Sequence, residues 1–120
     1  MRIIAGGVGK SQVADVLKTL VRPTDVVVVG SDMDAAIKLK TGQADYYLGT
    51  CHTGAGASLG VLVGMLGGDK CHTFARHVPT AEGVDAALAA GKVAFGFSVD
   101  QIAEAVPVLW DALMRKESDS

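Results

Sequence analysis

Short apolar runs and stretches of helical periodicity alternate along this chain from end to end, and few architectures accept that alternation. Ile3-Ile4-Ala5 is an apolar run closed by Gly6-Gly7-Val8-Gly9. Beyond it Val13, Val16, Leu17 and Leu20 recur at i, i+3, i+4 and i+7, the stripe of an amphipathic helix, with Ser11 as its expected N-cap. Arg22-Pro23-Thr24 breaks that helix, and Asp25 opens Val26-Val27-Val28-Val29, a β-branched run without alternation that predicts a strand covered on both faces. Gly30-Ser31-Asp32 turns the chain into a second helix over 33–40, stopped at Thr41-Gly42. A tyrosine-bearing strand from Tyr46 leads to a glycine-rich turn and an apolar helix over 59–66. A fourth strand follows over 70–75, then a helix over 81–90 capped by Thr80, a fifth strand over 93–97, and a last helix starting at Ser98 or Asp100. Pro107 falls inside that last pattern and predicts a kink or a first-turn restart.

Five strand signals alternating with five helix signals predict an α/β protein. The expected architecture is a three-layer, Rossmann-like (flavodoxin-like) parallel five-stranded sheet with helices on both faces and the third strand near its middle. Residues 1–115 form one expected domain and 116–120 a polar C-terminal tail. In such sheets ligands bind beyond the carboxyl ends of the strands, where strand order reverses. The turns after the first three strands would all lie at that edge.

Composition narrows the class of partner. A net charge of −2 with no basic cluster argues against nucleic acid. The longest uncharged apolar segment, 54–68, is too short and too glycine-rich to span a membrane. Two cysteines 20 positions apart make no disulfide framework, and Met1-Arg2 leads straight into Ile3 without a signal-peptide core, so a cytoplasmic protein is expected.

The candidate site is Cys51-His52-Thr53-Gly54-Ala55-Gly56-Ala57-Ser58. A cysteine at a strand end, just before a helix N-terminus, sits where a thiolate is electrostatically favoured. His52 or Thr53 can orient a substrate, and the Gly54 and Gly56 amides can hold a developing oxyanion or enolate. The combination suits proton abstraction beside a carbonyl; the alternative is a cysteine buried under the helix. Gly9-Lys10-Ser11 ends like a phosphate-binding loop, but Ile4 stands where the full pattern needs its first glycine. That excludes a wrapped triphosphate and leaves a single phosphate or carboxylate contact from Lys10, Ser11 and the Gly7 and Gly9 amides. Asp32 and Asp34 are expected helix caps, with a sugar-hydroxyl contact as the sharper role for Asp32. Arg76 and His77 are either further anion contacts or an exposed loop.

Cys51-His52 and Cys71-His72 repeat a metal-ligating pair. Adjacent strand residues point to opposite faces and usual zinc ligands are two to four residues apart, so no metal is expected, and no cofactor. Gly56, Gly60 and Gly64 recur on one helical face, read as close packing on the sheet or against a symmetry mate. The apolar helix that carries them suggests a homodimer.

Nearly the whole chain resembles the YhfU-type family of small bacterial proteins, through Met33-Asp34-Ala35-Ala36, Gly42-Gln43-Ala44-Asp45-Tyr46-Tyr47, Thr53-Gly54-Ala55-Gly56-Ala57 and Gly91-Lys92-Val93-Ala94-Phe95-Gly96 with Ser98-Val99. That resemblance carries no chemistry. More distantly, residues 51–58 resemble the Cys-Gly-Thr-Gly-x-Gly-x-Ser loop of the ribose-5-phosphate isomerase B and galactose-6-phosphate isomerase family. It implies Cys51 as the base that moves a proton between neighbouring carbons, with Thr53, Gly54 and Gly56 as the anion hole. His52 stands where that family has glycine, and Gly6-Gly7-Val8-Gly9 where it has an Asp-His pair. The functional expectation is a protein that binds a small phosphorylated or carboxylated sugar-like metabolite, isomerising it with Cys51. A non-catalytic ligand-binding or assembly subunit is the alternative.

Overall fold

The computed structural model describes residues 1–52 and 59–119. Chain order is β1 (Arg2–Gly7), α1 (Lys10–Lys18), β2 (Val26–Val29), α2 (Asp32–Lys40), β3 (Tyr46–Cys51), α3 (Gly60–Leu66), β4 (Cys71–Thr73), α4 (Ala81–Ala89), β5 (Ala94–Ser98) and α5 (Ile102–Ser118). The strands form one all-parallel sheet in the order β2-β1-β3-β5-β4. This is the expected three-layer α/β architecture, with one difference from the flavodoxin order: the last two strands exchange places. Their lengths explain it. Every residue of β5 is buried, so it needs a neighbour on each side, while three-residue β4 fits an edge.

Side-chain alternation divides the core. Ile3, Ala5, Leu48, Phe95 and Phe97 face α1, α4 and α5, where Val13, Leu17, Leu88, Leu109, Trp110 and Leu113 close the larger cluster. Ile4, Tyr47 and Ala94 face the other way, beneath α2 and α3, with Ala35, Ala36, Leu59 and Leu62. Two close-packed layers on opposite faces of one sheet are what this fold requires.

Three elements differ from expectation. The valine run of β2 is an exposed edge rather than a covered strand: Val26 and Val29 are each 50% exposed. Helix α2 packs over β1 and β3, leaving the outer strand open. Gly9, not Ser11, occupies the N-cap of α1. Helix α5 runs through Pro107 as one element, after a short 3-10 turn over Val99–Gln101, and its last turn takes in residues 116–118 of the expected tail. Thr80 does cap α4, accepting from the Gly83 amide. At α2 the cap is Ser31, which accepts from the Asp34 amide, and Asp32 opens the first turn.

Candidate functional site

Strands β1 and β3 are neighbours, yet the helices that follow them lie on opposite faces of the sheet. Their carboxyl ends therefore flank the point where strand order reverses, the place where such sheets bind ligands. On one side lies the turn after β1, on the other Cys51 and His52.

The turn after β1 is tied to β3. Gly7 adopts φ +83°, and a side chain there would run into the Thr50 carbonyl. The Val8 amide donates to the Thr50 carbonyl at 3.1 Å and the Gly9 amide to Thr50 Oγ1 at 2.7 Å. The buried Thr50 hydroxyl in turn donates to the Gly6 carbonyl at 3.2 Å. The Gly9 amide expected to meet an anion is thus taken up within the protein. Lys10 and Ser11 are exposed in the first turn of α1, whose N-terminus has no side-chain cap. They are the part of this motif open to an anion.

Cys51 ends β3 in register with Ser98 of β5, so both side chains lie on the face covered by α2 and α3. Cys51 is buried, 8% exposed. Ser98, 1% exposed, has its hydroxyl beside the Asp100 carboxylate, to which it donates, and 3.3 Å from the His52 carbonyl. His52 itself is exposed. Thr53, Gly54, Ala55, Gly56 and Ser58 lie outside the described residues. Asp32 meets the same edge at the start of α2, its carboxylate accepting from the Met33 amide at 2.8 Å.

The second Cys-His pair lies elsewhere. Cys71 pairs with Ala94 at the amino end of the sheet, four positions along β5 from Ser98, which is about 13 Å of strand. Cys51 and Cys71 therefore cannot share one ion. Burial pushes the Cys71 thiol up and the His72 imidazole down, so both favour their neutral forms. His72 packs edge-on against Phe74. Arg76 and His77 are exposed in the turn after β4, the Arg76 carbonyl accepting from the Gln101 side chain. Among the described residues nothing lies where a side chain at Gly60 or Gly64 would be, so they do not serve packing on the sheet; Leu59 and Leu62 do.

Thr50, Ser98 and Tyr47 are the site-edge residues that sequence reasoning passes over. Ser98 and Asp100 show in the sequence only as helix-start residues. Thr50 carries no signal, because its role exists only once β1 and β3 are paired.

The family described as "Protein of unknown function DUF2620" matches residues 1–113. The chain is 37% identical over 110 residues to the Uncharacterized protein YhfU of Escherichia coli strain K12, covering 90% of this chain and 94% of that one. The same figures hold for the proteins of that name from Escherichia coli O6:H1 and Shigella flexneri.

Proposed function

We propose, for a chain that belongs to the DUF2620 family, that it binds a small phosphorylated or carboxylated sugar-like metabolite at the carboxyl edge of the sheet and isomerises it through Cys51. The observation that carries this reading is the position of Cys51. It is a buried thiol at the end of a central parallel strand, at the reversal of strand order, in register with a buried serine.

In this mechanism the Cys51 thiolate takes a proton from a carbon beside the substrate carbonyl. The C–H bond breaks, the S–H bond forms, and the electron pair moves into the enediolate. The hydroxyl proton on that carbon passes to the former carbonyl oxygen, and the proton on sulfur returns to the former carbonyl carbon, which converts an aldose into a ketose. Lys10 and Ser11 at the start of α1 take the phosphate or carboxylate, and Asp32 takes a sugar hydroxyl. Thr53 and the amides of Gly54 and Gly56 complete the anion hole in this reading.

The test is the pH dependence of Cys51 alkylation in a Cys71→Ser background, with and without ribose 5-phosphate. A titration midpoint below that of an ordinary thiol, with protection by the sugar phosphate, is expected. An unperturbed thiol that the ligand does not protect would remove the isomerase reading.

A second reading rests on a different observation. The open, valine-rich edge at β2 suits an assembly subunit, and it is where a homodimer contact is proposed. That reading expects an inert Cys51. No helix among the described residues is long and apolar enough to cross a membrane; a cytoplasmic location is part of the proposal.

A further inference from the structure

Beneath Cys51 and Ser98 the sheet carries a row of three glycines. Gly6 of β1 pairs with Gly49 of β3, and Gly49 pairs with Gly96 of β5. Two residues further along β3 and β5, on the same face, stand Cys51 and Ser98. Leu59 lies over Gly96, and the ring of Tyr47 lies over Gly6, where a side chain would come within 2.6 Å of the ring.

Tyr47 is fully buried, and its hydroxyl, which reaches Gly6 at a level two residues below Cys51, has no hydrogen-bond partner among the described residues. A buried hydroxyl without a partner costs free energy that a phenylalanine at the same position would avoid. Burial, reinforced by the charge of Asp32, pushes the phenol up to about 12, so it remains a protonated donor throughout the neutral range.

We propose that the Tyr47 hydroxyl is a ligand-binding group, donating to an uncharged carbonyl or hydroxyl oxygen of the metabolite bound at the carboxyl edge by Cys51. This rests on the metabolite-binding reading above and adds an orientation to it. The charge of Asp32 disfavours a phosphate or carboxylate at this end. The anionic group therefore points toward Lys10 and the polyol end toward Tyr47.

The experiment compares Tyr47→Phe with wild type by thermal unfolding and by calorimetric titration with two probes, ribose 5-phosphate and inorganic phosphate. Because no hydrogen bond among the described residues is lost, the variant is expected to melt at the wild-type temperature or above it. Its affinity for ribose 5-phosphate is expected to fall about tenfold, the loss of one good hydrogen bond, with phosphate binding unchanged. A lowered melting temperature would mean that the hydroxyl serves the fold, through an internal water, and would overturn the proposal. So would equal affinity of the two proteins for ribose 5-phosphate. If the sugar phosphate still protects Cys51 in that case, the metabolite reading stands and only the role of Tyr47 falls. If wild type binds neither probe and the thiol is unprotected, both fall together.

Discussion

Thr50 of β3 ties down the end of β1 and the turn after it, across 41 residues of chain from Gly9: it accepts from the Gly9 amide and donates to the Gly6 carbonyl. Thr50→Val keeps the shape and removes both bonds, leaving the Gly9 amide buried without a partner. Such a loss is worth about 1–3 kcal/mol, and it should appear as a lower urea midpoint with an unchanged slope. A midpoint equal to wild type would show that the turn after β1 holds its form unaided. The same residues mark how far single positions can be read from sequence. Cys51 at a strand end followed by glycines was legible, because strand, turn and helix each have a local pattern. The fate of the Gly9 amide was not. A glycine-lysine-serine run looks the same whether its amides face solvent or a threonine on the neighbouring strand.

Among the elements, existence and order were legible while position in the sheet was not. A run of four valines is apolar on both faces, and that pattern fits a central strand and an open edge equally. Which it becomes is decided by where the chain crosses next, a non-local choice. The exchange of β4 and β5 was hidden for another reason: the strand expected over 70–75 is only Cys71–Thr73, short enough for an edge. The link from α1 to β2 was likewise hidden, since Asp25 reads only as a turn residue. In the structure its carboxylate is shielded from solvent and accepts from the Arg22 backbone amide at 2.8 Å, from the Arg22 guanidinium at 2.8 and 3.0 Å, and from the Met1 amino group at 2.9 Å. Arg22 also reaches Glu117 at 2.7 Å, joining this link to the last turn of α5. The Arg22 hydrogen bonds, against an opposing cost of burial, hold the Asp25 carboxyl well below the usual carboxylate range. A depressed folded-state pKa contributes stability that is complete above the unfolded value near 3.9 and is lost as pH falls through the folded value. Asp25→Asn should therefore melt lower than wild type at pH 6, by a few degrees for a loss of about 1 kcal/mol. The gap should narrow as the pH is brought below 4. Asp45 is also lowered, its Arg2 hydrogen bonds outweighing burial, so the informative quantity is the difference between the two proteins rather than either acid profile. A gap that stays constant with pH would assign the effect of Asp25→Asn to packing.

At the scale of the whole molecule, an open edge of valines is a liability that a monomer usually blunts with lysine, proline or a bulge. Strand β2 has none of these. Beside it lies a cavity of about 210 Å³ lined by Ile4, Val26, Val28, Lys38 and Ala44 among others. Asp34 and Lys38, ion-paired at 3.1 Å, lie on the side of α2 toward this groove: the Asp34 carboxylate is against Gly30, and Lys38 lines the cavity with the valines. A second copy of the chain is the cover proposed for this surface. Two β2 strands paired antiparallel about a twofold axis would extend the sheet across the seam, satisfy the open backbone groups and enclose Val26 and Val28 from both sides. The two α2 helices would then run antiparallel, setting Asp34 of one copy opposite Lys38 of the other in an alternating, charge-neutral row. Such a contact would make the proposed dimer depend on Val28, which is 40% exposed in the single chain. Val28→Lys should leave the melting behaviour of the monomer fold nearly unchanged, because a charged edge is what a monomer tolerates. In sedimentation equilibrium at micromolar concentration the wild type should have twice the chain mass and the variant the single mass. Asp34→Lys should weaken the dimer by setting like charges together, and adding Lys38→Asp should restore it. A monomeric wild type, or a dimer indifferent to Val28→Lys, would place the cover of this edge in a different partner and leave the assembly-subunit reading to explain the valines.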